Sequence, residues 1–190
     1  MTTITDYDSA HRTSWLRCRV LGFLDTGYYD DVWAERPDDS QIQLVALDGD
    51  QVLGICDIGI AGTRATINTI VVHPDHRREG IAARLLGVGR GRLPVTVETL
   101  DAWTREDAAA LAWYRRSGFI ESDQYLHVHI DSDDRIEGFS SPVGLSTPLL
   151  AFCHAQLADE QQLRQRYRRV YVCRRFTLPL TANSLTGAPR

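Results

Sequence analysis

The sequence predicts an α/β fold built on a mixed β-sheet flanked by helices. Three observations carry that expectation. The turn Asp48-Gly49-Asp50 separates two β-rich runs, 41–47 and 51–60, and reads as an antiparallel hairpin. The next run, 65–72, ends at His73-Pro74, where proline cannot continue a ladder; a helical pattern at 81–86 and a strand at 94–100 follow. A second strand–helix–strand succession runs from there through 106–116 to 125–130. Hairpins combined with crossover connections make a mixed sheet.

The remaining elements follow in order. Apolar residues Trp15, Leu16, Val20, Phe23 and Leu24 predict a first helix over 8–24, with Asp8 or Ser9 as its cap. Residues 27–33 read as a loop or helix, and Arg36-Pro37-Asp38-Asp39-Ser40 is a breaker. The helix at 81–86 is closed by a glycine-rich stretch, 87–91, and the alanine-rich helix at 106–116 is capped by Gly118. An acidic loop at 131–137 leads into a Pro/Gly/Ser stretch, a helix at 148–168 and a last strand at 170–178. The expectation is therefore one domain over 1–180, with an extended helical insertion at 131–169 between the last two strands and a frayed tail at 181–190.

Composition narrows the function. The chain has 190 residues, 43% hydrophobic and 24% charged, which suits an ordered globular domain and argues against disorder. A net charge of −4 argues against nucleic acid as the partner. No apolar run approaches a membrane span, and the first residues lack the basic-then-apolar pattern of a signal peptide. A cytoplasmic protein without a membrane partner is expected. All 21 basic residues are arginines, which reads as the codon bias of a GC-rich source. An arginine here accordingly says less about bidentate recognition than it would in a mixed Lys/Arg chain. Cys18, Cys56, Cys153 and Cys173 form no Cys-x-x-Cys pair and read as reduced thiols, with no histidine/asparagine arrangement to suggest a cysteine nucleophile.

The segment richest in chemistry is Val72-His73-Pro74-Asp75-His76-Arg77-Arg78-Glu79-Gly80-Ile81-Ala82-Ala83. A strand that stops at proline and restarts as a helix at Gly80 aims backbone N–H groups and a positive helix end at one spot, which suits phosphate. An ordinary strand–helix junction with a solvated arginine pair is the plainer reading of the same residues. The segment lacks the Gly-Lys-Ser/Thr of a Walker loop and the three glycines of a dinucleotide fingerprint.

Arg77-Arg78-Glu79-Gly80-Ile81-Ala82, after Val72-His73-Pro74, resembles the Arg/Gln-x-x-Gly-x-Gly/Ala motif of the GNAT acetyltransferase superfamily. Downstream, Ala110-Leu111-Ala112-Trp113-Tyr114-Arg115-Arg116-Ser117-Gly118-Phe119 is similar to that family's Ala-x-x-apolar-Tyr-x-x-x-Gly-Phe signature. The resemblance covers roughly residues 8–130, with a looser match at the last strand. It implies an enzyme that moves an acetyl group from acetyl-CoA to a primary amine, without a metal. Acetyl-CoA would lie between splayed strands, 67–72 and 95–100, its pantetheine arm along Ile70, Val71 and Val72. Its pyrophosphate would sit on Arg77, Arg78, Glu79, Gly80, Ile81, Ala82 and Ala83. Tyr114 would be the general acid for the departing thiolate; it is also readable as a core aromatic beside Trp113. A backbone N–H near Val72 would meet the oxyanion.

The general base stays open among Glu98, Asp57 and a water chain. Asp107 stands where many relatives have an asparagine that contacts the cofactor arm, and it also fits a helix cap. On the acceptor side, Tyr28, Tyr29, Asp30, Asp31 and Trp33, with the acidic residues Asp131, Asp133, Asp134 and Glu137, suit a cationic small-molecule amine; solvated acidic loops read the same way. His127 and His129 share a strand face that fits a metal pair or a plain surface. A non-catalytic acyl-CoA sensor and a protein or peptide N-acetyltransferase are the alternatives. The insertion at 131–169 can lid the acceptor site or join two copies as a homodimer.

Overall fold

The computed structural model describes residues 2–132, 134 and 138–180. An eight-stranded mixed sheet runs through it, in the order β1-β2-β3-β4-β5-β8-β6-β7. The chain begins with a strand that periodicity does not reveal, β1 (Thr3–Asp6), four residues antiparallel to β2 (Ile42–Asp48). Helix α1 (Arg12–Phe23) starts after a 3-10 turn whose cap is Asp8, accepting the Ala10 N–H at 2.7 Å. β2 and β3 (Gln51–Ala61) form the expected hairpin, with Gly49 at φ +57 in its turn. β3 pairs antiparallel with β4 (Arg64–Val72).

Helix α2 (Ile81–Gly91) runs straight through the glycine-rich stretch expected to end it. Packing overrides propensity there: a Cβ on Gly89 would stand 2.8 Å from Ile58 Cδ1, so the glycine lets the helix lie close on the sheet. The strand expected at 94–100 is displaced to β5 (Thr99–Thr104), and Val95 is left on the surface. α3 (Ala108–Arg116) ends as expected at Gly118, φ +87.

The insertion differs from its expectation. In place of one long helix it holds an edge strand, β7 (Ala151–Ala155), antiparallel to β6 (Ile120–Ile130), then a short helix α4 (Glu160–Arg166). Alternating Phe152 and His154 share one face of β7, a two-residue period that the helical reading overlooked. α4 covers a satellite core of Leu126, Val128, Ile130, Val170 and Val172 on β6 and β8 (Arg169–Pro179). Residues 181–190, expected to be a frayed tail, lie outside the described residues.

The sheet carries a core on each face. α2 and α3 cover Leu44, Cys56, Ile58, Ile67, Leu85, Leu100 and Phe176, whereas α1 covers Val45, Val52, Ile55 and Val71 through Trp15 and Cys18. At Gly22, α1 touches β4 directly: a Cβ there would stand 2.3 Å from Val71 Cγ2 and 3.1 Å from the Val72 carbonyl oxygen. No helix among the described residues is long and apolar enough to cross a membrane.

Candidate active site

β4 and β5 are parallel, and their pairing runs only from Arg64 opposite Thr99 to Ile67 opposite Ala102. At that point β4 carries a bulge. Asp57 faces Thr69 and Ile58 faces Ile67, so Asn68 is an extra residue. Beyond it β5 continues beside β8 alone, and the edge of β4 from Asn68 to Val72 is unpaired on that side. The His73 N–H donates to the Leu53 carbonyl at 2.8 Å on β3. Strand alternation then turns the N–H and C=O groups of Ile70 and Val72 the other way, into the gap. Val71 points to the α1 core instead.

The turn after β4 leads into α2 through two left-handed residues, Arg78 at φ 68 and Gly80 at φ 77. The first backbone bond into the helix is Arg84 N–H to the Gly80 carbonyl, at 3.1 Å. The N–H groups of Arg78, Glu79, Gly80, Ile81, Ala82 and Ala83 thus precede the ladder at the positive end of α2. Ile81 itself is buried, Ala82 half-buried, and Arg78, Glu79, Gly80 and Ala83 are exposed. Arg77 departs from the expected role at a phosphate rim. Its guanidinium forks onto Asp25 at 2.6 and 2.8 Å and donates to the Gly22 carbonyl at 2.8 Å, so it braces α1.

Tyr114 is 5% exposed, its ring stacked on Phe176 (centroids 5.2 Å) and edge-on to Phe119 and Trp113. Burial pushes its phenol above the ordinary tyrosine value, with smaller effects from Tyr28 and Cys56. Tyr114 belongs to the core on the α2 and α3 face of the sheet, with Cys56, Leu100 and Phe176. Asp107 is a helix cap, its Oδ1 accepting the Ala110 N–H at 2.7 Å.

Glu98 is displaced from the site. It is exposed, its N–H bonded to the Thr63 carbonyl, at the end of β4 nine residues from Val72. At the rise of an extended strand that is about 30 Å from the gap. The parallel register of β4 and β5 dictates this and is not visible in the spacing of residues. Asp57 lies on the α1 face, 5% exposed, with Arg36 Nη2 at 3.2 Å. Burial raises its carboxyl to about 6 despite that arginine.

The loop after α1 is tied down by ion pairs. Asp30 accepts from Arg169 at 2.7 Å, whose guanidinium lies over Tyr29, and Asp31 accepts from Arg19 at 2.7 Å. Arg19 is 2% exposed and sits 3.3 Å over the Trp33 ring, while Trp33 Nε1 donates to Asp31 at 2.9 Å. The two aspartates expected to attract a cationic amine are therefore already neutralised. Of the second acidic cluster, Asp134 accepts the Asp131 N–H at 2.8 Å, and Asp133 and Glu137 lie outside the described residues.

Spacing offered no sign of Arg105, which follows β5 and is 6% exposed. Its guanidinium lies 4.3 Å over Tyr28 and 5.2 Å over Tyr171; Nε donates to His127 Nδ1 at 3.1 Å and Nη1 to the Gly27 carbonyl. Burial, then Arg105, push His127 down to about 4, so the ring is neutral. Its Nε2 is 3.0 Å from the Tyr125 hydroxyl, and it stacks on His154 at 5.1 Å. Accepting at Nδ1 makes Nε2 the donor to Tyr125. A cavity of about 220 Å³ opens beside this face, lined by Tyr125, His154, Ala155 and Gln156. Among the described residues no group of three His, Cys, Asp or Glu side chains is placed to hold a metal ion; stacked rings do not converge on one point.

Residues 39–121 match the family model of the acetyltransferase (GNAT) domain, spanning the bulged strand, the turn into α2 and Tyr114. That segment is similar to a GNAT acetyltransferase domain. The fold of the chain is shared by solved acetyltransferases of low sequence identity. The ribosomal-protein-S18-alanine N-acetyltransferase of Escherichia coli superposes with a TM-score of 0.57 at 16% identity, covering 95% of each chain. The ribosomal-protein-alanine N-acetyltransferase of Brucella melitensis gives 0.57 at 17%, covering 94% of this chain and 99% of that one. A GNAT family acetyltransferase of Elizabethkingia anophelis, solved with acetyl-CoA bound, gives 0.54 at 14%, covering 94% and 98%. No curated protein matches the sequence. The matched segment ends before the insertion that carries β7 and α4.

Proposed function

We propose that the protein transfers the acetyl group of acetyl-CoA to the primary amine of a small molecule by direct attack on the thioester. The observation that carries this is the gap in the sheet. A bulged strand turns the N–H and C=O groups of Ile70 and Val72 toward an edge that no strand occupies, and the free N–H groups at the start of α2 follow it. Such an edge suits an amide-bearing arm, as pantetheine is, and the helix start suits a pyrophosphate. The phosphate-holding groups are then the backbone from Arg78 to Ala83, without the Arg77 side chain.

When bound, acetyl-CoA supplies an acyl carbon that an amine can attack. The Val72 N–H, turned into the gap, stabilises the negative charge that develops on the acyl oxygen. Tyr114 donates to the departing sulfur. A buried phenol above its usual pKa does not hand its proton fully to a thiolate whose conjugate acid lies near 8.5, so its share is a hydrogen bond that strengthens as the carbon–sulfur bond breaks. The proton released by nitrogen equals the one taken up by the CoA thiol. Asp57 is held by Arg36 one strand back from the gap, and water at the open mouth is the route by which that proton leaves.

A small-molecule acceptor is favoured over a protein by the braced loop at 25–36, which Arg19, Arg36, Arg77 and Arg169 close into a fixed wall. The test is release of CoA thiol from acetyl-CoA against a panel of small amines and peptides, with acetyl-CoA binding measured alongside. Acceptor-dependent release that Tyr114→Phe reduces about 10²-fold or more, with binding kept, is the expected result. Binding without release across the panel would favour an acyl-CoA sensor, release only with peptides would favour a protein acetyltransferase, and no binding would overturn the reading of the gap.

A further inference from the structure

We infer that Arg105 is the docking point for a carboxylate on the acceptor, so that the amine acetylated belongs to an amino-acid-like molecule. The inference rests on the acetyl-transfer reading and adds the substrate class. Three other arginines that reach the interior have a carboxylate: Arg19 has Asp31, Arg36 has Asp57, and Arg175 has Asp101. Arg105 has none among the described residues, although it is 6% exposed. Its neighbours are the Tyr28 and Tyr171 rings, the Gly27 carbonyl and neutral His127. Taking a guanidinium out of water without a counter-charge is costly, which a stable fold tolerates best where an anion arrives to offset it.

The geometry says where that anion comes in. Nε and Nη1 are spoken for, whereas Nη2 makes no hydrogen bond among the described residues and is not among the sealed, unpaired nitrogens. One donor group thus remains open, on a planar fork shaped for carboxylate. The position is also the right one. Arg105 directly follows the end of β5, the strand whose pairing with β4 stops at Ala102 and leaves the edge of β4 beyond Ile67 open. The aspartates of the neighbouring loop are occupied by Arg169 and Arg19, so they neither neutralise Arg105 nor favour a polycationic amine.

Two measurements separate this assignment from the acetyl-transfer reading itself. Calorimetric titration of the whole protein with N-acetyl amino acids and with their carboxamides reads carboxylate recognition without any turnover. The acids are expected to bind roughly 10- to 100-fold more tightly than the amides, the range of one hydrogen bond to a charged group. Arg105→Gln brings the acids down to the level of the amides, and Arg105→Lys keeps part of the preference. Equal binding of acid and amide, binding of neither, or an equal loss of both in Arg105→Gln overturns the assignment; the last result would mark a purely structural arginine. CoA-thiol release with amino acids, their amides and the corresponding decarboxylated amines is the second measurement. Transfer without a preference for the acids overturns the role of Arg105 and leaves acetyl transfer standing. Acid binding without transfer to any acceptor does the reverse.

Discussion

Gly22 and Gly87 are both helical glycines, and the structure assigns opposite signs to the same substitution at the two positions. A Cβ on Gly87 meets nothing within 4 Å. Gly87→Ala gains only the helix propensity of alanine, about 0.5–1 kcal/mol. A Cβ on Gly22 would stand 2.3 Å from Val71 Cγ2 and 3.1 Å from the Val72 carbonyl oxygen. Valine is stiff at χ1 and the carbonyl belongs to the sheet, so α1 must back away from β4. Overpacking of this kind costs about 1–3 kcal/mol, which leaves Gly22→Ala at roughly 0–2 kcal/mol destabilised after the propensity gain. Urea unfolding of the two variants should separate them by that overpacking cost. In thermal unfolding the separation is roughly 2–12 °C for a chain of this size. Activity should suffer more than stability, because the shift falls on the strand end that faces the gap, where misplacement by about 1 Å costs on the order of 10²-fold. If Gly22→Ala proved as stabilising as Gly87→Ala, α1 would not rest on β4 and the close wall argued for the acceptor side would be gone.

Two further outcomes follow from particular groups. Asp107 acts as a cap, so Asp107→Ala should lose about 1 kcal/mol in urea unfolding, while Asp107→Asn keeps the cap and stays within about 0.5 kcal/mol of the parent; equal losses would refute the capping role. Asp57 titrates near 6 in the folded chain against 3.8 for the free carboxyl, so between those values the folded state holds a proton that the unfolded state has released. Its contribution therefore makes stability fall as pH rises from about 4 to 6, by up to about 3 kcal/mol. Asp25 and Asp30, held below the usual carboxylate range, act in the opposite sense at lower pH. The stability of the parent minus that of Asp57→Asn, followed from pH 4 to 7, isolates the Asp57 slope; a flat difference would contradict it.

The local motifs were legible in the sequence because they are contiguous and their chemistry lies in the backbone. Val72-His73-Pro74 stops a strand, Gly80 admits a left-handed helix start, and Tyr114 to Gly118 closes a helix; each is fixed by dihedral preference within a few residues. The hairpin at Gly49 was legible for the same reason. β1 is four residues long and shows no usable period, and the expected helix over 148–168 gave way to β7 and α4 because β6 offered a free edge to pair with and β8 a face to cover. Those choices depend on contacts between distant segments.

The same division runs through the site. Sequence by itself determined which residues make the left-handed turn into α2 and where Tyr114 sits in a helix that closes at Gly118, since these belong to short motifs with local geometry. Only the tertiary structure decided which charges are free. Arg77 is spent on Asp25, 52 positions away, Asp30 on Arg169, 139 positions away, and Glu98 is carried by the parallel register to the end of β4 remote from the gap. Arg105 has no carboxylate partner among the described residues, and the aspartates of the loop after α1 are paired with Arg19 and Arg169. Charge pairing is set by which distant segments meet on folding, and a residue's own neighbours in sequence carry no record of it.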